Sequence, residues 1–173
     1  MSGVNPCRIT LRLLLLVMAL IPPVSRAAEV MPDHCFDAAV MNHVREQIAF
    51  YGPRSDQQEY FGFIYWKDGL IRTAVTSGMA CQGMLDCVVN PAFALARIPK
   101  GAKVLGEWHT HSRIGALVLS LEDVSGARAN LHIRCYSAFY SASDGSIWRW
   151  DPAQATVADA MASRTSVGAF RWR

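Results

Sequence analysis

The chain has 173 residues, with 17 Lys and Arg against 14 Asp and Glu, for a formal net charge of +3 at neutral pH. Arg8, Arg12 and Arg26 supply that excess from the first 28 residues, where no acid occurs, so the rest of the chain is formally neutral. That excludes the basic footprint of a nucleic-acid-binding protein, and the length suits one domain with a hydrophobic core rather than two.

In chain order, Arg8 and Arg12 precede an apolar run over 13–21, a Pro22-Pro23 break and the small residues around Ala27-Ala28. This pattern predicts a secretory signal peptide over 1–27, cleaved to leave a single domain over 28–173. The run is well short of the roughly 20 residues a membrane-spanning helix needs, so no stable anchor is expected after cleavage. The expected destination is the bacterial periplasm or the medium.

Apolar residues at Phe36, Val40, Val44 and Ile48 with charges between them predict a helix over 36–50, stopped at Tyr51-Gly52-Pro53. Residues 59–66 are aromatic and β-branched, and Lys67-Asp68-Gly69 is a turn signal before 70–76, which predicts a hairpin. Asn90-Pro91 opens a short helix to about Arg97, and Pro99-Lys100-Gly101 breaks the chain before a strand over 104–109. Ser120 caps a helix expected to run to about Leu131. Residues 134–140 and 146–150 form a second predicted hairpin around Ser143-Asp144-Gly145, followed by a helix over 153–162 and an edge strand over 168–173. The fold class expected from this alternation is α/β (α+β), a single mixed sheet flanked by helices.

Export would expose Cys35, Cys81, Cys87 and Cys135 to an oxidising compartment, where an even number favours disulfides. Cys81 and Cys87 enclose a short loop and form one candidate pair, which leaves Cys35–Cys135; three pairings are open to four cysteines. No C-x-x-C pair supports a zinc knuckle. The aromatic residues Tyr60, Tyr65, Trp66, Trp108, Trp148 and Trp150 lie at strand positions, where core and sheet-face packing is their ordinary role.

The chemistry concentrates in Gly106-Glu107-Trp108-His109-Thr110-His111 and in Ser120-Leu121-Glu122-Asp123. Side chains alternate along a strand, so His109 and His111 share one face and Trp108 and Thr110 the other. Both imidazoles can then reach one ion, and Asp123, in the first turn of the next helix, can face back toward the strand end as a third ligand. Two histidines and a carboxylate leave zinc's fourth position open to water, as in a hydrolytic site. The competing role for Asp123 is to complete a capping box with Ser120. A thiol nucleophile at Cys81 or Cys135 is disfavoured by the even cysteine count, and the zinc-deaminase motif is absent.

The order Glu59, His109-Thr110-His111, Ser120-Leu121-Glu122-Asp123 resembles the JAB/MPN (JAMM) metallopeptidase signature, and Glu59-Tyr60-Phe61-Gly62 is similar to that family's strand opening. The likeness covers about 36–152. It departs in having eight residues, 112–119, between His111 and Ser120 where seven are usual, and Ser112 in place of a proline. The segment from Tyr140 to Pro152 is similar to exported bacterial JAB-like domains of unassigned function. The resemblance implies a cytidine-deaminase-like JAB/MPN architecture with Zn²⁺ on His109, His111 and Asp123. It also implies Glu59 as proton acceptor and donor at the attacked amide and Ser120 as oxyanion donor. Glu107, on the His109 face, is the rival to Glu59; Glu122, at the usual spacing, is the rival to Asp123. The implied substrate is a peptide, isopeptide-linked protein or peptidoglycan amide. The alternative is a catalytically inactive JAB-like module that binds a partner or surface.

Overall fold

The computed structural model describes residues 38–56, 58–80 and 88–172. The expected signal peptide, Cys35, Cys81 and Cys87 therefore lie outside the described residues, and so do the expected cysteine pairings. Cys135 itself is disulfide-bonded. Among the described residues no helix is long and apolar enough to cross a membrane.

The elements are α1 (Ala38–Tyr51), a 3-10 turn (Gly52–Arg54), β1 (Tyr60–Lys67), β2 (Leu70–Ser77), α2 (Ala92–Leu95), β3 (Lys103–Thr110), α3 (Leu121–Ala129), β4 (Ser137–Ser141), β5 (Ser146–Trp150), α4 (Val157–Ala162) and β6 (Thr165–Ala169). The strands form one mixed sheet in the order β2-β1-β3-β4-β5-β6, antiparallel except for the parallel pair β3–β4. The single mixed sheet with helices is the α+β arrangement expected.

Both faces of the sheet are covered. On one face the α1 stripe Val40, Val44 and Ile48 packs on Ile64, Trp108, Phe139 and Ile147. On the other, Ala94 of α2, Val124 and Ala127 of α3 and Ala160 of α4 close over Phe61, Phe63, Ala138, Tyr140 and Trp150. Each large side chain so buried contributes about 1.5–3 kcal/mol relative to exposure. Tyr65, Trp66, Trp108 and Trp150 are core residues. The β1–β2 hairpin turns on Asp68 and Gly69 at φ 51° and 77°, as a two-residue turn matched to strand twist requires. At Gly106 a Cβ would drive into the Ser137 carbonyl, so glycine permits β3 and β4 to approach here.

Several boundaries differ from expectation, each for a local reason. The helix at Pro91 has four α-helical residues and then tightens into i→i+3 turns, with Arg97 N–H donating to Ala94 O and Ile98 N–H to Leu95 O. β4 starts at Ser137 rather than 134 because Tyr136 N–H turns back to Ile133 O and Cys135 sits at φ 66°. α4 starts at Val157 rather than 153: the Asp151 carboxylate takes the Ala153 N–H and the Gln154 amide, holding a turn, and Thr156 supplies the cap. The last strand runs over Thr165–Ala169, three residues early, because it pairs with β5 and ends where Phe170 N–H reaches Gly145 O.

Candidate metal centre

The strand order puts the centre at the C-terminal end of β3, between β1 and β4. The antiparallel register Phe61↔His109 carries Glu59 opposite His111, and the parallel register sets Tyr140 beside His109. Alternation separates the two faces as expected. Trp108 is in the α1-side core, and Thr110 Oγ1 accepts from Ser55 Oγ (2.6 Å) and Tyr60 N–H (2.9 Å). His109 and His111 lie together on the α3 side, 7% and 6% exposed.

Asp123 joins them. His109 Nε2 stands 3.1 Å from His111 Nε2 and 3.5 Å from Asp123 Oδ1; His111 Nε2 stands 3.7 Å from Asp123 Oδ2. Ligand atoms about 2.0–2.2 Å from a tetrahedral ion are separated by about 3.3–3.6 Å, and these separations, with the two Asp123 distances ending on different oxygens, lie close to such an edge. His109, His111 and Asp123 thus form a group that could hold a metal ion.

The donor chemistry points the same way. His111 Nδ1 is 2.8 Å from Ala116 O, and as a carbonyl can only accept, the ring proton is on Nδ1. Nε2 of a neutral His111 is then a bare lone pair facing the His109 nitrogen and a carboxylate. Acceptors converging in a buried pocket need a cation between them, either a proton or a metal. Burial pushes the His109 imidazole down to about 4, against the Asp123 charge, so it is neutral at neutral pH. His111 is shifted upward: burial disfavours its charge, but its bond to Asp123, the Asp123 charge, Ala116 O and Glu59 outweigh that. Burial would raise Asp123, yet the facing histidines and the Ser120 N–H hold it well below the usual carboxylate range.

Asp123 serves both roles foreseen for it, with Oδ2 shared between the cap and His111. Ser120 N–H donates to Oδ2 at 2.7 Å and Asp123 N–H donates to Ser120 Oγ at 3.1 Å, a complete capping box, while Oδ1 faces His109. The loop between His111 and Ser120 is held at several points. Gly115 N–H closes a turn onto Ser112 O, Ala116 O meets His111, and Leu119, 2% exposed, seats the far end in the core. Glu122 is exposed and stands outside the ligand group.

Glu59 is half-buried at the start of β1. Its Oε1 lies 3.4 Å from the Ser112 N–H, and its charge is felt by His111. Glu107 shares the His109 face but is turned to Tyr136, whose hydroxyl donates to Oε2 at 2.5 Å; Asn130 Nδ2 donates to the same hydroxyl. Burial pushes the Glu107 carboxyl up to about 7, with Tyr136 opposing and Asp123 adding. Two participants were invisible in the sequence reading: the Ala116 carbonyl and the Tyr140 ring, which lies 5.9 Å from His109 and 5.4 Å from His111, centroid to centroid. Only the β3–β4 pairing brings Tyr140 there, and that pairing is not a local signal.

No family model, curated protein or solved structure matches the chain. Fold and site together define a single-sheet α+β protein with a His-His-Asp group, its histidines buried and Asp123 half-buried, that could bind a metal ion.

Proposed function

We propose that the chain is an exported, zinc-dependent hydrolase of amide or isopeptide bonds, of the JAB/MPN type. The observation that carries this reading is the convergence of His109 Nε2, His111 Nε2 and the Asp123 carboxylate at tetrahedral-edge spacings, with the half-buried Glu59 beside His111. A zinc ion held by these three supplies Lewis acidity and brings a water's pKa toward about 7. With only three protein ligands, such an ion would keep the open position that hydrolytic chemistry uses, unlike one in a closed structural site.

Glu59 is the proton carrier in this reading. It takes the proton of the attacking water and passes it to the departing amine, on the same face as the ligands but outside their triangle. Ser120 Oγ accepts the Asp123 N–H, which leaves its hydroxyl hydrogen to donate to the carbonyl oxygen as that becomes negative. Glu107 has a different job, because its carboxyl is engaged by Tyr136 and buried.

The test is a panel of peptide, isopeptide and peptidoglycan cross-link amides presented to the zinc-loaded wild type and to Glu59→Gln. The variant is expected to keep one zinc per chain and to lose cleavage by about 10²–10⁴-fold. A wild type that holds zinc and cleaves nothing, or a Gln variant as active as wild type, overturns the assignment.

A further inference from the structure

An imidazole turns on a broad χ2 torsion, so a ligand histidine keeps its aim only where something holds the ring. In this site one side chain faces both rings. Tyr140 is fully buried, near-parallel to His109 (interplanar 21°) and tilted against His111 (43°). Its backbone lies alongside His109 in the parallel β3–β4 register, and the His111 N–H extends that pairing by donating to Ser141 O at 2.9 Å.

The far end of the ring is fixed too. Arg164 Nη1 donates to the Tyr140 hydroxyl at 2.7 Å, and that hydroxyl points its own hydrogen toward Met161 Sδ at 3.6 Å. Arg164 is itself held, with its guanidinium 4.5 Å above the Trp148 ring and its Nε donating to Met161 O at 3.0 Å. Trp148, Arg164, Tyr140 and the two histidines thus form one chain of contacts from the α4–β6 joint to the centre.

We propose that Tyr140 is the positioning residue of the metal centre, its ring the wall that aims His109 and His111 at a common point, and Arg164 the group that sets the ring. This rests on the metal reading above. Supporting groups behind ligands typically change metal affinity about 10–100-fold when removed, which is the expected scale.

The experiment compares the mature chain with Tyr140→Phe, Tyr140→Leu and Arg164→Met, reading zinc affinity by competition with a chelator and the visible spectrum of the cobalt-substituted protein. Phe keeps the wall and should bind zinc within about threefold of wild type, whereas Leu should weaken binding about 10–100-fold and alter the cobalt spectrum. Arg164→Met keeps every ligand and the ring; a smaller affinity loss with a shifted cobalt spectrum is expected, and this variant decides the matter if the Leu variant does not fold. Wild-type affinity in both Tyr140→Leu and Arg164→Met overturns the proposal, as does a Phe variant as impaired as Leu. A wild type that takes up neither zinc nor cobalt removes the metal reading itself, and this inference with it.

Discussion

Asp123 serves both the helix cap and the centre, and substitutions can separate the two roles. Asp123→Ala removes the acceptor for the Ser120 N–H and the carboxylate facing His109. Losing a helix cap costs about 1 kcal/mol, and a hydrogen bond to a charged group about 1.5–3 kcal/mol, so about 2.5–4 kcal/mol of metal-free stability should go. Asp123→Asn keeps an oxygen for the cap and should lose less than about 1 kcal/mol. Ser120→Ala removes only the acceptor for the Asp123 N–H, again about 1 kcal/mol. Metal binding should sort the same variants differently. If zinc binds with about 10–16 kcal/mol over four ligands, each is worth about 3 kcal/mol, so both Asp123 variants should lose more than about 100-fold in affinity and Ser120→Ala little. Urea unfolding in the presence of chelator, alongside zinc competition titrations, reads both axes. An Asn variant that retains zinc, or one as destabilised as Ala, would refute the division of roles.

Two pH dependences follow from the buried groups. Glu107 is pushed from 4.5 to about 7 in the fold, so the folded chain holds a proton that the unfolded chain releases. Its contribution to stability is whole below about pH 4.5 and is lost as pH rises to about 7, a change of about 3 kcal/mol. In chelator, Glu107→Gln should therefore gain on the wild type by up to that amount from acid to mildly alkaline pH; parallel stability curves would count against a buried, protonated Glu107. At the centre, His109 is held down to about 4 and Asp123 below its usual range, while His111 is raised. Zinc uptake at mildly acid pH should accordingly release a proton from His111 and none from His109 or Asp123, separate from the proton a zinc-bound water would give up as pH rises through about 7, measured by calorimetry in buffers of different ionisation enthalpy. Release of two protons at about pH 6 would mean that His109 also carries one.

The parts of the molecule legible in the sequence are those set by local pattern. The Val40-Val44-Ile48 stripe, the Asp68-Gly69 turn, the Ser120 cap and the shared face of His109 and His111 all depend on spacing within a few residues. What was misjudged depends on competing local hydrogen bonds or on distant chain. The Asp151 carboxylate delayed α4, and the turn before Tyr136 delayed β4. For Glu107, the strand face was legible, but its engagement by Tyr136 depends on a residue 29 positions away. The position of Tyr140 beside the histidines likewise follows from a parallel pairing that no periodicity announces. Asp123 was found from spacing alone, although the sharing of its two oxygens between cap and centre needed the fold.

Whether three acceptors converge on a cation site is tested most directly by zinc titration of the metal-free protein. One ion per chain should bind, with affinity collapsing in His111→Ala, whose Nε2 faces both His109 and Asp123. No saturable binding, or binding unchanged by that substitution, would contradict such a site.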